Sequence, residues 1–235
     1  MRFILSLTLL LMSSLVAFAQ KDVTTFLGIP IDGYKSEMKQ KLISKGFTYD
    51  AQNDCFEGEF NGEEVMISIV TNNNKVYRIA VFDKISRDET NIRIRFNNLC
   101  NQFTNNKKYA SSNFGQESYL IPDDEDISYN MGIKNKRYQA SYYQVPIPEL
   151  MDTLAIQNKF REKLLQKYTE DQITNPTEEQ SKEMQAIIQE ESLKLMMEMV
   201  SSKSVWFMIN DRGVGEYNIL MYYDNKYNEA NGEDL

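Results

Sequence analysis

The chain has 235 residues, 26 basic and 34 acidic side chains, a net charge of −8, no histidine and two cysteines. That acidity argues against nucleic acid and against anionic lipid surfaces as partners. Without imidazole no His-dependent triad or dyad is available and the commonest zinc ligand is missing, which leaves carboxylate, Lys or Tyr chemistry, or none.

The first residues, MRFILSLTLLLMSSLVAFAQ, combine Arg2, an apolar run over 4–16 and the small-x-small site Ala17-Phe18-Ala19. This is the pattern of a secretory signal peptide cleaved after Ala19, with a mature protein in the periplasm or at the cell surface. No later run is long and apolar enough to predict a membrane span in the mature chain. In FLGIPIDGYKSEMKQKLISKGF (26–47), Asp32-Gly33 makes a turn, Met38, Leu42 and Ile43 give helical spacing, and Gly46 is a stop signal. A helix N-terminus suits an anion, but Asp32 opposes one and no Gly-x-Gly or Gly-Lys-Ser/Thr follows. The stretch therefore reads as the start of a folded domain, with Phe26, Leu27 and Ile29 in the core.

CFEGEF, EEVMISIV and KVYRIAVF alternate as strands, and TNNNK is a hairpin turn, which predicts an antiparallel meander over 55–83. Strict alternation puts Val76, Arg78, Ala80 and Phe82 on one face of the last strand. A helix over 88–105, with Ile92, Phe96, Leu99 and Phe103 inward, covers one sheet face. Cys55 and Cys100 form a candidate disulfide, whose loop closure would contribute about 4 kcal/mol. The alternative is two buried, reduced thiols.

The polar segment 108–125 reads as a linker between an N-terminal lobe (20–107) and a C-terminal lobe (126–235), unless the two form one domain. Its PDDED stretch (122–126) is acid-rich but lacks EF-hand spacing. DISYNMGI and RYQASYYQV read as a second hairpin. A helix over 149–200 is broken near 170–176 and restarts with Asn175 as N-cap before Pro176 and Glu178. Leu154, Phe160, Leu164 and Tyr168 mark a stripe in its first half, and Met184, Ile188, Leu195 and Met199 one in its second. SVWFMIN and EYNILMYYD flank DRGVG as a final hairpin. The fold class is α+β, with mostly antiparallel sheets and helices packed on their faces.

Tyr142, Tyr143, Trp206, Tyr222 and Tyr223 form a candidate aromatic binding surface for a sugar or a protein. The alternative is a sheet buried on both faces. In the cluster Met184, Met196, Met197 and Met199, the residues at 196, 197 and 199 cover too wide an arc for one packing layer. Glu57 and Glu59 alternate onto one strand face, the arrangement a carboxylate-pair glycosidase needs, as do many other acid pairs here. No residue pattern specifies a cofactor or a metal.

FLGIPIDGYKSEMKQKLISKGF after a signal peptide, with VWFMIN and YNILMYYDNKYNEANGEDL at the other end, resembles a family of small exported proteins of unassigned function from anaerobic Gram-negative gut-type bacteria. The resemblance implies export and adds no activity. Gly33, the helix through Leu42 and Gly46 are more loosely similar to the outer-membrane assembly lipoprotein and beta-lactamase-inhibitor type of module, without the lipidated Cys. The expected role is a non-enzymatic module binding a protein or glycan of the cell envelope. A carboxylate-dependent hydrolase acting on a glycan and a self-associating structural envelope component are the alternatives.

Overall fold

Val65, Ile67 and Ile69 are buried while Met66, Ser68 and Val70 between them are only half-buried. That period of two organises a sheet running through most of the chain. The computed structural model describes residues 22–113, 118–147 and 153–230, so the candidate signal peptide lies outside the described residues. A two-stranded ribbon, β1 (Thr25–Phe26) and β2 (Ile29–Pro30), precedes helix α1 (Lys35–Ser44). The meander follows as β3 (Thr48–Asp50), β4 (Cys55–Phe60), β5 (Glu63–Asn72) and β6 (Lys75–Asp83), and then α2 (Glu89–Asn105). Next come β7 (Tyr109–Ser111), α3 (Ile127–Gly132) and β8 (Gln139–Gln144). Helices α4 (Thr153–Leu165), α5 (Glu170–Thr174) and α6 (Glu178–Ser201) lead to the hairpin β9 (Ser204–Gly213) and β10 (Glu216–Asp224).

One eight-stranded antiparallel sheet has the order β3-β4-β5-β6-β10-β9-β8-β7. A register row crosses six of its strands: Phe56, Ile67, Val81, Met221, Phe207 and Ala140 stand opposite one another in turn. All six are buried. Met38 and Leu42 of α1, Ile92, Phe96, Leu99 and Phe103 of α2, and Ile127 of α3 join this same core.

The chain divides into two compact units, and the division does not fall at 108–125. The sheet unit takes Val23–Val145 and Met199–Leu235. The strands before and after the expected linker are hydrogen-bonded directly, β6 to β10, because long-range strand pairing overrides the polar composition of the link. The helical unit lies within Pro146–Glu198. It has its own small core, where Leu164, Tyr168 and Met184 are buried against Ile173, Ile187 and Ile188.

Three local expectations are corrected, and the open alternative at Cys55 and Cys100 is decided. DISYNMGI contains α3 rather than a strand: Asp126 accepts from the Tyr129 N–H at 2.7 Å, and Glu89 accepts from the Ile127 N–H at 2.9 Å. Two carboxylates thus satisfy helix-start donors, and the spacing of Ile127 and Met131 fits a helix as well as a strand. The partners of β8 are β7 and β9 instead. A register shift at Val70/Thr71 bulges the ladder at Tyr77, so Val76 joins the core instead of sharing the face of Arg78. The restart of α6 is capped by Thr177 and Gln180 in a reciprocal pair, two residues later than the Asn175 cap. Cys55 and Cys100 are free, buried thiols and not a disulfide. Burial pushes the Cys100 thiol up to about 12, the behaviour of an inert core residue.

The titratable groups predict a wide pH plateau. Lys35, Lys39 and the Tyr49 hydroxyl hold Asp54 well below the ordinary carboxylate range, the Ser128 hydroxyl lowers Glu89, and Lys136 with Tyr138 lowers Glu125. Groups depressed on folding contribute stability that is complete above their unfolded values, about 3.9–4.3, and lost as pH falls through the folded ones. Burial raises Tyr109, Tyr142, Tyr223 and Cys100, so their contribution is complete below about 8.5–10 and lost as pH rises further. With no histidine in the chain, no side-chain type present has its ordinary value between these ranges. The urea midpoint, read by the fluorescence of the single tryptophan, is expected to be flat from about pH 5 to 8 and to fall on either side. A slope centred near pH 6.5 contradicts this.

Candidate functional site

The five aromatics of the candidate binding surface separate onto the two faces of the sheet. Tyr142 and Tyr223 point into the core and are 1% and 4% exposed. Tyr142 stacks on Phe103 of α2, with ring centroids 4.9 Å apart, so it is not available at the surface. Alternation puts Tyr143, Trp206 and Tyr222 on the opposite face, where all three are half-buried. Trp206 and Tyr222 are directly paired across β9 and β10 and stack with centroids 4.3 Å apart. The Arg78 guanidinium lies 4.9 Å from the Tyr222 centroid and 5.6 Å from that of Trp206. Asp224 holds this group in place, accepting from Arg78 Nε at 2.5 Å, Arg78 Nη2 at 2.9 Å and Trp206 Nε1 at 2.9 Å. The charges of Arg78 and Asp224 thereby pair within the cluster.

Other candidates also find structural roles. The IPIDG turn is tied down rather than open: Gly33 carbonyl accepts from the Val76 N–H at 3.0 Å, and Asp32 accepts from Asn228 Nδ2 at 2.8 Å. In PDDED, Asp126 caps α3 while Glu125 accepts from Lys136 and Asn130. No group of metal-ligating side chains occurs among the described residues. Glu57 pairs with Lys84 at 3.2 Å. Met184 packs in the helical core, whereas Met196 and Met197 are exposed.

The sequence gives no hint of the larger of two concavities in the sheet unit. A cleft of about 870 Å³ opens on the core side of the sheet, where the C-terminal half of α2 leaves it. That size is ordinary for a small-molecule site. Leu99 and Phe103 of α2 and Met221 and Tyr223 of β10 form the floor. Phe60 and Tyr109 are half-buried walls, and Leu27 stands at the edge, 39% exposed. Leu27 was expected in the core. It sits instead at the tip of the β1–β2 turn with φ 51°, a left-handed conformation that turns its side chain away from the neighbours Phe26 and Ile29.

The rim is polar. It carries Asn61, Gln102, Asn105 and Asn106, with Glu59 and Lys107 as its charged members. Asn61 Nδ2 donates to Gln102 Oε1 at 2.8 Å, which joins the β4–β5 turn to α2 across the mouth. Behind the wall, Gln144 is buried and donates to the Thr25 carbonyl at 2.6 Å while accepting from the Thr25 N–H at 2.7 Å. Burial pushes the Tyr109 and Tyr223 phenols up, so both are neutral donors and acceptors. In sequence these rim residues look like ordinary turn and helix-end residues. The only signal was the run of amides NQFTNN after Cys100, which marks a helix end as readily as a site.

A second, smaller hollow of about 470 Å³ is lined by Glu63, Arg87, Arg95 and Glu216 among others. Glu63 and the acid beneath the hollow, Asp83, are already engaged. Asp83 beneath it is bound by both arginines, and Glu63 accepts from Arg87 at 2.5 Å. Comparison of the chain with protein-family models, curated proteins and solved structures gave no match, so the site rests on its own geometry.

Proposed function

We propose that this chain is an exported binding module that holds its ligand non-covalently in the cleft beside α2. The observation carrying this is the combination of an aromatic floor and an amide rim in one cleft whose lining, among the described residues, holds a single carboxylate, Glu59. Glycoside hydrolysis needs two carboxyl groups about 5–9.5 Å apart, and the cleft lining does not supply the pair. Export rests on the N-terminal pattern ending in Ala17-Phe18-Ala19. The test has two parts. Intact-mass analysis of the protein recovered from producing cells is expected to show a chain starting at Gln20. An amide-detected NMR screen of small-molecule fragments is expected to move the signals of Asn61, Gln102 and Asn105 together. A full-length N-terminus removes the export reading, and fragment shifts scattered away from these residues remove the cleft.

A further inference from the structure

The chemistry of the cleft selects among ligand classes, and this inference rests on the binding reading just given. We infer that the cleft takes a neutral, polyhydroxylated ligand, a carbohydrate chain. Charge is the first reason. Among the described residues the lining holds one acid and one base, Glu59 and Lys107, both exposed at the mouth. The deeper wall offers only apolar rings and neutral phenols, so an ionic ligand would lose hydration without gaining a buried counter-charge.

Helix polarity is the second reason. The cleft lies at the C-terminal end of α2, whose last turn contains no basic residue. That end carries partial negative charge and carbonyl groups in need of donors. It opposes phosphate and carboxylate groups and suits hydroxyl groups, which donate.

The amides are the third reason. The 2.8 Å bond from Asn61 to Gln102 uses one donor and one acceptor of the pair. It leaves Asn61 Oδ1 and Gln102 Nε2, an acceptor and a donor held in fixed relation. Two adjacent sugar hydroxyls meet such a pair by donating from one oxygen and accepting at the other. Asn105 extends the same bifunctional edge along α2. Phe60 and Tyr109 supply the apolar ring faces on which the C–H face of a pyranose packs. A peptide ligand would be held instead through unpaired backbone groups of an edge strand. Of the two edge strands of the large sheet, β7 is the one that lines the cleft, through Tyr109, and it is only three residues long.

The experiment is a titration of the isotope-labelled full chain with neutral cello-, xylo- and manno-oligosaccharides, and separately with polygalacturonate. The expected result is a saturable shift of the Asn61, Gln102 and Asn105 side-chain amides by at least one neutral series, unchanged by added salt. Gln102→Ala, an exposed replacement that leaves the core intact, is expected to weaken that binding about tenfold. Salt-sensitive binding of the charged polymer alone, or neutral-sugar binding that ignores Gln102→Ala, overturns the inference. If no sugar binds but apolar fragments still move the same amides, the carbohydrate assignment fails and the cleft stands. If no probe of any class moves them, both fail.

Discussion

Asp83→Ala is expected to lower the unfolding free energy by about 3–5 kcal/mol, because it breaks a buried ionic network rather than a surface pair. Asp83 is 3% exposed and Arg95 8%. Arg95 donates to both Asp83 oxygens, Nε to Oδ2 at 3.1 Å and Nη2 to Oδ1 at 3.3 Å. Arg87 bridges onward, 3.4 Å from Asp83 and 2.5 Å from Glu63. The network thereby ties β5, β6 and α2 at one end of the core. Every buried side-chain N or O among the described residues has a partner, so the substitution creates an orphan where none existed. Arg95 has only Glu63, 3.8 Å away, as a remaining carboxylate. Exposed ion pairs such as Lys182–Glu178 are worth at most about 1 kcal/mol, so the same truncation at Glu178 serves as a control with little effect. Replacing both partners, Asp83→Leu with Arg95→Met, is expected to recover most of the loss, since the desolvation cost disappears with the charges. Urea unfolding followed through Trp206 measures all three. A loss under about 1 kcal/mol for Asp83→Ala would mean that water reaches the network and compensates it.

The α+β class and most of the strands were legible because their alternation is local. Val65, Ile67 and Ile69 mark a buried face without knowledge of any neighbour. The hairpin at TNNNK was legible for a related reason: Asn73 and Asn74 take φ 47° and 61°, which asparagine tolerates better than most residues. Capping was less legible: the Asn175 cap gave way to Thr177, and the cap of α2, where Asp88 accepts from the Asn91 N–H at 2.8 Å, was not read. What failed was non-local. Ile127, Tyr129 and Met131 fit a strand by alternation, and only the reach of Glu89 from α2 shows that a helix begins there. The pairing of β6 with β10 spans a long stretch of chain and leaves no trace in either strand's own pattern. Of the candidate aromatic surface, Trp206 and Tyr222 share a face, but nothing in YY at 142–143 or 222–223 says which tyrosine α2 will cover. The cleft was illegible because a concavity arises where elements part, and its rim uses amides that also serve as helix-end and turn residues.

The second large effect is expected at Phe207, which is fully buried and surrounded by rings. Its centroid lies 5.2 Å from Phe96, 5.5 Å from Phe103 and 6.1 Å from Tyr142. Phe207 also occupies the register row across the sheet, between Met221 and Ala140. Ala140 is too small to fill space that Phe207 vacates, and the backbone on both sides is fixed by ladder hydrogen bonds. Collapse around a truncated side chain is therefore limited, and Phe207→Ala is expected to cost about 3–5 kcal/mol. Phe207→Leu keeps much of the volume and is expected to cost less than half as much. The consequence reaches the cleft, because Phe103 packs on Phe207 with one side and forms the cleft floor with the other. Loss of that support frees Phe103 to drop toward the cavity, deepening the floor and detaching it from the Tyr109 ring 4.6 Å away. Whatever ligand shifts the Asn61 and Gln102 amides should then bind Phe207→Ala more weakly under conditions where the variant is still folded. Phe56→Ala separates the two effects, since Phe56 is equally buried in the same row but is not part of the cleft. Equal weakening by both variants would show that general loss of stability, and not the floor, controls binding.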